Sequence, residues 1–105
     1  MGRRDKREIK SRFVVLLAHL LKWRVQVGFR SRSRSATIRE QRYRVSDLLD
    51  EWPSLRPLIG SVRPALYARA RSAAADETGL AETAFPAACR FTADQVLAED
   101  FLPEG

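Results

Sequence analysis

A run of arginines and serines in the first half of the chain has the residue types that bind anions. Arginine and serine alternate over residues 30–35, and three more arginines follow at positions 39, 42 and 44. Guanidinium groups bind phosphate and carboxylate oxygens, and the free N–H groups at a helix N-terminus favour the same ligands. The candidate binding surface comprises residues of this segment and two of the preceding helix: Arg30, Arg32, Arg34, Arg39, Gln41, Arg42, His19 and Trp23.

Catalytic and metal-binding chemistry has little support. His19 is the only histidine and has no Cys, Asp or Glu three or four residues away, the spacing that helical metal ligands need. It is better explained as a boundary residue bonded to backbone or to a neighbour. Cys89, the only cysteine, has no base beside it and fits a small packed hydrophobe. Without a glycine-rich phosphate loop or paired carboxylates, the sequence predicts no enzyme, no metal and no cofactor.

The charge is divided unevenly along the chain. The 105 residues carry a net charge of +6. Residues 1–45 hold 14 Lys and Arg against 3 Asp and Glu, whereas residues 46–105 hold 5 against 10. This asymmetry indicates either an anionic partner for the first half or a fold that packs one half against the other.

Apolar periodicity predicts a first helix over residues 5–25, ended by Gly28 as a left-handed cap. Its large apolar side chains cover an arc of roughly 180°, wider than the ~100° stripe of a surface helix. We therefore expect this helix to contact two neighbours. The run 13–21 is too short to cross a membrane and contains His19. With a single cysteine, the sequence favours a reducing, cytoplasmic setting and no membrane association.

A second helix is predicted over residues 35–51, with Ser33 or Ser35 as its N-cap and Thr37 with Glu40 as a fallback capping box. Its apolar stripe contains Gln41, a polar side chain directed toward the core. One interpretation is a bond from Gln41 to the neighbouring helix or a loop carbonyl. The other is a polar pocket that Gln41 shares with Arg42, His19 and Trp23, because a buried amide needs a partner.

The remaining chain predicts further helices and no strand. Gly60 and Pro64 interrupt the apolar pattern, so we expect a turn over 54–60 and a helix over 61–78, ended by Gly79. A loop over 81–89 and a short helix over 93–99 follow. The sequence thus predicts a single all-α domain over 1–105, a small bundle of three main helices plus a short C-terminal helix.

Several ordered motifs resemble a known bacterial family. They are LLAHLLKW at 16–23, SRS at 31–33, ATIREQR at 36–42, PSLRP at 53–57, ETGL at 77–80, FP at 85–86 and DFLP at 100–103. The chain looks like a member of the family catalogued as domain of unknown function 29, and the resemblance covers nearly its whole length. It implies a small helical protein and brings no established activity or cofactor.

The chain departs from the family pattern in ways that suggest a partner. Members usually carry an aromatic residue where Arg34 stands, an uninterrupted acid-rich helix where residues 60–71 stand, and an acidic helical segment before the start seen here. The resemblance therefore implies an N-terminally truncated domain whose first helix lacks part of its cover. We expect self-association, or a separately encoded partner, through Val14, Leu17 and Leu21.

Two functions fit these observations. The first is a small helical protein-interaction module that presents the basic segment to a protein or another anionic partner. The alternative is nucleic-acid binding by residues 30–44. Acids on the exposed face of the second helix and the lack of helix-turn-helix spacing disfavour the alternative. The arginines are equally explained as partners of acids within the family fold.

Overall fold

A computed structural model describes residues 3–103 and confirms the all-α fold, with no strand among these residues. The helices are α1 (Arg3–Val25), α2 (Arg32–Glu51), α3 (Leu55–Thr78) and α4 (Ala93–Leu97), with short 3-10 turns at Val27–Phe29 and Glu82–Ala84. No helix in the described range has the length and apolarity that a membrane span requires.

α1 is the centre of the bundle and packs against both α2 and α3. The wide apolar arc is confirmed, because one continuous set of its side chains is buried: Ile9, Phe13, Val14, Leu16, Leu17, Ala18, Leu20 and Leu21. Burying a large aliphatic or aromatic side chain stabilises a fold by ~1.5–3 kcal/mol. Two covering helices are therefore needed to satisfy this face, as predicted.

The side chains expected to contact a partner lie inside this core. Val14 is 9% exposed, and Leu17 and Leu21 are 0% exposed. The rest of the chain covers them, so they form no free surface in this structure. Association of the chain stays a prediction, but it would need other side chains for its contact.

Side-chain contacts give the helix directions. Trp23 and Arg34 line one groove between α1 and α2, while Glu8 lies beside the second half of α2. α1 and α2 therefore run antiparallel. Lys22 Nζ lies 3.2 Å from a carboxylate oxygen of Glu77, which joins the last turns of α1 and α3. These two helices therefore run in the same direction.

α2 begins at Arg32, three residues earlier than predicted, and its N-cap is Ser31. The Ser31 hydroxyl accepts a hydrogen bond from the backbone N–H of Arg34 at 3.1 Å. Ser33 and Ser35, the predicted caps, lie inside the helix. Ser31 takes the role because its extended backbone (φ −155°, ψ 168°) directs the side chain toward the free N–H groups.

The predicted turn after residue 54 is wrong, because α3 runs unbroken through Gly60 and Pro64. Proline in a helix interior costs ~3 kcal/mol relative to alanine. Its ring clashes with the carbonyl four residues earlier, and here that residue is Gly60 on the exposed side. Burial of Leu55, Ile59 and Leu66 contributes ~1.5–3 kcal/mol each and outweighs the penalty.

Glycine ends one helix as predicted and not the other. Gly79 has φ 74° and caps α3 in the left-handed region. Gly28 was expected to do the same for α1, but Gly79 is the one glycine with positive φ within residues 3–103. Gly28 instead lies in the 3-10 turn, where the chain passes directly into α2 without a left-handed reversal.

The C-terminal segment is attached to the bundle by side-chain bonds to its backbone. The Tyr67 hydroxyl donates to the carbonyl of Pro86, and Arg63 donates to the carbonyl of Phe91. α4 starts at a capping box, in which Thr92 accepts from the N–H of Gln95 and the Gln95 side chain accepts from the N–H of Thr92. The predicted cap is confirmed, although the helix ends two residues earlier than expected, at Leu97.

Candidate functional site

The structure divides the candidate binding surface into separate places. Arg30 lies at the closed end of the α1–α2 hairpin. Its Nε donates to the Trp23 carbonyl at 2.9 Å, and its guanidinium carbon lies 5.5 Å from the centre of the Trp23 ring. A further N–H reaches the carbonyl of Pro103 at 3.5 Å. Arg30 therefore joins α1 to the end of the described chain.

Arg42 is a buried structural residue, 3% exposed. Its Nε donates to the Val96 carbonyl at 2.8 Å, Nη1 to Glu99 at 3.0 Å and Nη2 to Phe101 at 2.8 Å. Burial lowers the pKa of the guanidinium from its usual value, and the charge of Asp100 opposes this shift. Three backbone carbonyls thus neutralise part of a charge that would otherwise be costly to bury.

Gln41 is not the polar residue at the centre of the α2 stripe, because Arg42 occupies that position. The buried residues of α2 are Ile38, Arg42, Val45 and Leu49. Their spacing of four, three and four residues is one helical face, so the signal was present in the sequence. Arg42 was expected to face inward together with Gln41, and it can be buried there because its charge is paired. Gln41 is half-buried.

His19 and Trp23 meet Arg34 in a small pocket between α1 and α2, which we call the histidine pocket. The lining residues are His19, Lys22, Trp23, Arg34, Thr37 and Ile38, and the volume is about 160 Å³. Neither Gln41 nor Arg42 belongs to this lining, so the predicted four-residue polar pocket does not form. The three lining residues from α1 and the three from α2 are each spaced i, i+3 and i+4, so each set lies on one face of its helix.

Electrostatics in the histidine pocket favour a neutral imidazole. Burial lowers the pKa of His19 from its ordinary value of 6.5, and the nearby charge of Lys22 lowers it further. Arg34 acts in the same direction, while Glu77 opposes it. Within residues 3–103 the imidazole has no hydrogen-bond partner, contrary to the expectation of a bonded boundary histidine.

The other predicted surface residues remain exposed and apart. Arg32 lies in the first turn of α2, away from the lining of the histidine pocket. Arg39 is exposed on a groove that it shares with Tyr43 and Asp100. Their guanidinium groups are free to meet a ligand, but the structure does not bring them together with His19.

A second basic surface was not singled out in the sequence. We call it the basic groove, and its lining is Arg3, Lys6, Arg7, Lys10, Ser11 and Arg69. The α1 cations recur at i, i+3, i+4 and i+7, which places them on one side of the helix. The groove measures about 440 Å³. That spacing was a readable signal, but the contribution of Arg69 depends on how α3 packs.

Metal binding has no structural support in the part of the chain described, because no group of three or more His, Cys, Asp or Glu side chains comes together there. Cys89 is half-buried, and its thiol lies 3.4 Å from the carbonyl of Phe91.

Comparison with known proteins identifies the family. The family model described as "Domain of unknown function DUF29" matches residues 1–102. No curated protein and no solved structure shows significant similarity to the chain. The match extends over all four helices and includes both the histidine pocket and the basic groove. The chain therefore belongs to the family of the domain of unknown function DUF29.

Proposed function

We propose that this protein is a small helical binding module whose partner is an acidic protein segment, held in the basic groove. The observation that carries the proposal is the set of five cations around one groove, from Arg3 to Lys10 of α1 and Arg69 of α3. The ion pairs found within residues 3–103 involve none of the five.

This arrangement opposes the stability of the chain alone. Arg3 and Lys6, in the first turn of α1, lie near the positive end of the helix dipole, which costs roughly 0.3–1 kcal/mol per charge at low salt. Like charges three or four residues apart add ~0.2–0.5 kcal/mol per pair. Asp5 offsets part of this in the first turn. Carboxylates of a partner would relieve both penalties at once.

The groove has dimensions that suit a short helical partner. Arg3 to Lys10 spans roughly 10 Å along α1, at 1.5 Å per residue. Carboxylates at i and i+4 of an acidic helix lie roughly 6 Å apart, so two or three of them would face the α1 cations. We expect each exposed pair to contribute ~0.2–1 kcal/mol, which makes the binding moderate and sensitive to salt.

Nucleic-acid binding by residues 30–44 is less well supported. Arg30 and Arg42 donate to backbone carbonyls, and Arg44 pairs with Glu40 at 3.0 Å. A reducing, cytoplasmic and bacterial setting fits the single cysteine and the family.

Fluorescence anisotropy tests the proposal with two labelled probes, a short helical peptide with Glu at i and i+4 and a short random-sequence DNA duplex. The groove variant is Lys6→Glu with Lys10→Glu. The matched control is Arg32→Glu with Arg39→Glu, which makes the same change of charge in the 30–44 segment. We expect at least about tenfold weaker peptide binding for the groove variant and about twofold or less for the control.

The same experiment separates the two candidate functions. DNA binding tighter than peptide binding, lost in the control variant and kept in the groove variant, would replace the proposal with the nucleic-acid alternative. Equal losses of peptide binding in both variants would show only a response to net charge, and that result would also overturn the proposal.

A further inference from the structure

We propose that the histidine pocket binds a small oxyanion, phosphate or sulfate, between α1 and α2. The site is independent of the basic groove and of its partner. His19, Lys22 and Arg34 bring imidazole and cationic N–H donors to one cavity, and no described residue fills that cavity. Convergent N–H donors from two helices are the chemistry that recognises a tetrahedral anion.

The size of the pocket selects a small ligand. A volume of about 160 Å³ holds a few water molecules at ~30 Å³ each. Pockets for larger organic ligands measure ~300–1,000 Å³. An ion with four oxygen atoms fits this space.

The cationic and aromatic parts of the site are held in place before any ligand arrives. Arg34 donates from Nη1 to Gln26 at 3.2 Å, and its guanidinium carbon lies 5.4 Å from the centre of the Phe29 ring. Arg30 packs over Trp23, which forms the aromatic wall of the pocket. These contacts use one N–H of Arg34 and leave others for a ligand. Preorganised donors reduce the entropy lost on binding.

The walls strengthen the interaction with an anion. Ile38 is 2% exposed and Trp23 is half-buried, so the donors lie against apolar surface. Electrostatic attraction is stronger there than in open water.

Lys22 is partly neutralised by Glu77 of α3, which leaves Arg34 as the main fixed positive charge. Thr37 donates its hydroxyl proton to the Ser33 carbonyl, so it presents only lone pairs to the cavity.

The lone imidazole explains why binding would depend on pH. His19 lacks a hydrogen-bond partner in the described chain, and the positive charges of Lys22 and Arg34 disfavour its protonation. A bound dianion would reverse that balance and supply a partner for an imidazole N–H. By linkage, the anion then binds more tightly as His19 becomes protonated. Glu77, the nearby group of opposite charge, acts in the same direction as the ligand.

NMR of the histidine ring provides the test, because His19 is the only histidine in the chain. The full chain is titrated with sodium phosphate, and then with sodium sulfate at a series of pH values, since the charge of sulfate stays constant through neutral and mildly acidic pH. Sodium chloride at matched ionic strength is the control. We expect a saturable shift of the His19 signals with either oxyanion, and tighter sulfate binding at lower pH.

Variants assign the effect to the pocket. Arg34→Gln should weaken sulfate binding at least about tenfold, and Arg34→Lys should restore part of it. Arg32→Gln removes the same charge outside the pocket and should leave the affinity unchanged. His19→Gln, followed by Trp23 fluorescence in a Trp52→Phe background, should still bind sulfate but without the pH dependence. Circular dichroism verifies that each variant is helical.

Two results would overturn the inference. One is a shift of the His19 signals that rises linearly with salt and equals that in chloride. The other is equal weakening by Arg34→Gln and Arg32→Gln, which would indicate screening of net charge rather than a site.

Discussion

Arg42 Nε lies 2.8 Å from the carbonyl oxygen of Val96, although 54 residues separate them in the chain. Two more N–H groups of the same guanidinium bind the carbonyls of Glu99 and Phe101. One buried arginine thus holds both α4 and the segment after it against α2. Val96, Leu97, Phe101 and Leu102 of this region also pack on the core, so the bonds of Arg42 and apolar burial together hold it in place.

We expect Arg42→Ala to lower the free energy of unfolding by about 2–4 kcal/mol, because one buried and two partly buried carbonyls would lose a charged donor. Arg42→Lys should recover only part of this, since an ammonium group cannot reproduce the planar fork. Urea denaturation gives the difference, and hydrogen exchange of α4 amides shows where it acts. The control is Arg39→Ala, exposed on the same helix, for which we expect a change within about 0.5 kcal/mol. Similar effects of both substitutions would contradict the structural role of Arg42.

The start of α2 provides a test of the fold. Ser31→Ala should destabilise by about 1 kcal/mol, because it removes the acceptor for the Arg34 N–H. Ser33→Ala should have little effect, because the bond at this residue is made by its backbone carbonyl, which accepts from the Thr37 hydroxyl and is kept in the variant. Thermal unfolding of both variants compares them directly. A larger loss for Ser33→Ala would support the start of α2 that the sequence predicts.

The basic groove should compromise stability in favour of binding. Arg3→Glu with Lys6→Glu replaces two cations by acids in the first turns of α1, where the dipole favours negative charge. We expect the free energy of unfolding to rise by about 1 kcal/mol at low salt, with less gain at high salt. Arg90→Glu, exposed and outside the helices, is the control and should give no such gain. A destabilised groove variant would refute the claim that these cations oppose the fold.

His19 should make stability depend on pH. Its pKa in the folded chain is below the ordinary value of 6.5, so the unfolded chain takes up the proton first as the pH falls. The contribution of His19 to the free energy of unfolding is therefore fully present above pH 6.5 and declines as the pH falls below that value. The decline ends once the pH has passed the pKa of His19 in the folded chain. Urea denaturation in chloride buffer should show this decline, and His19→Gln should abolish it. A decline of the same size in His19→Gln would assign the effect to carboxylates instead.

The sequence predicts those parts of the fold that local rules determine. The apolar arc of α1 is visible in its spacing, Gly79 marks the end of α3, and Thr92 with Gln95 marks the start of α4. Gly60 and Pro64 are different, because their local preference is to break a helix. Burial of neighbouring side chains overrides that preference, and the burial depends on tertiary packing.

The candidate site was predictable in part for the same reason. His19, Trp23 and Arg34 were named from the sequence and do meet in one pocket. Arg42 was assigned to that site because a stripe of apolar residues does not reveal which element faces it. The basic groove needed the position of α3, since Arg69 lies 59 residues from Lys10 in sequence.

NMR mapping of peptide binding tests the central claim most directly. The labelled chain is titrated with the acidic helical peptide, and the backbone amide shifts are followed residue by residue. The proposal predicts shifts centred on Lys6 to Ser11 and on Arg69, with the 30–44 segment unchanged. Shifts confined to the 30–44 segment, with α1 and Arg69 unaffected, would contradict it.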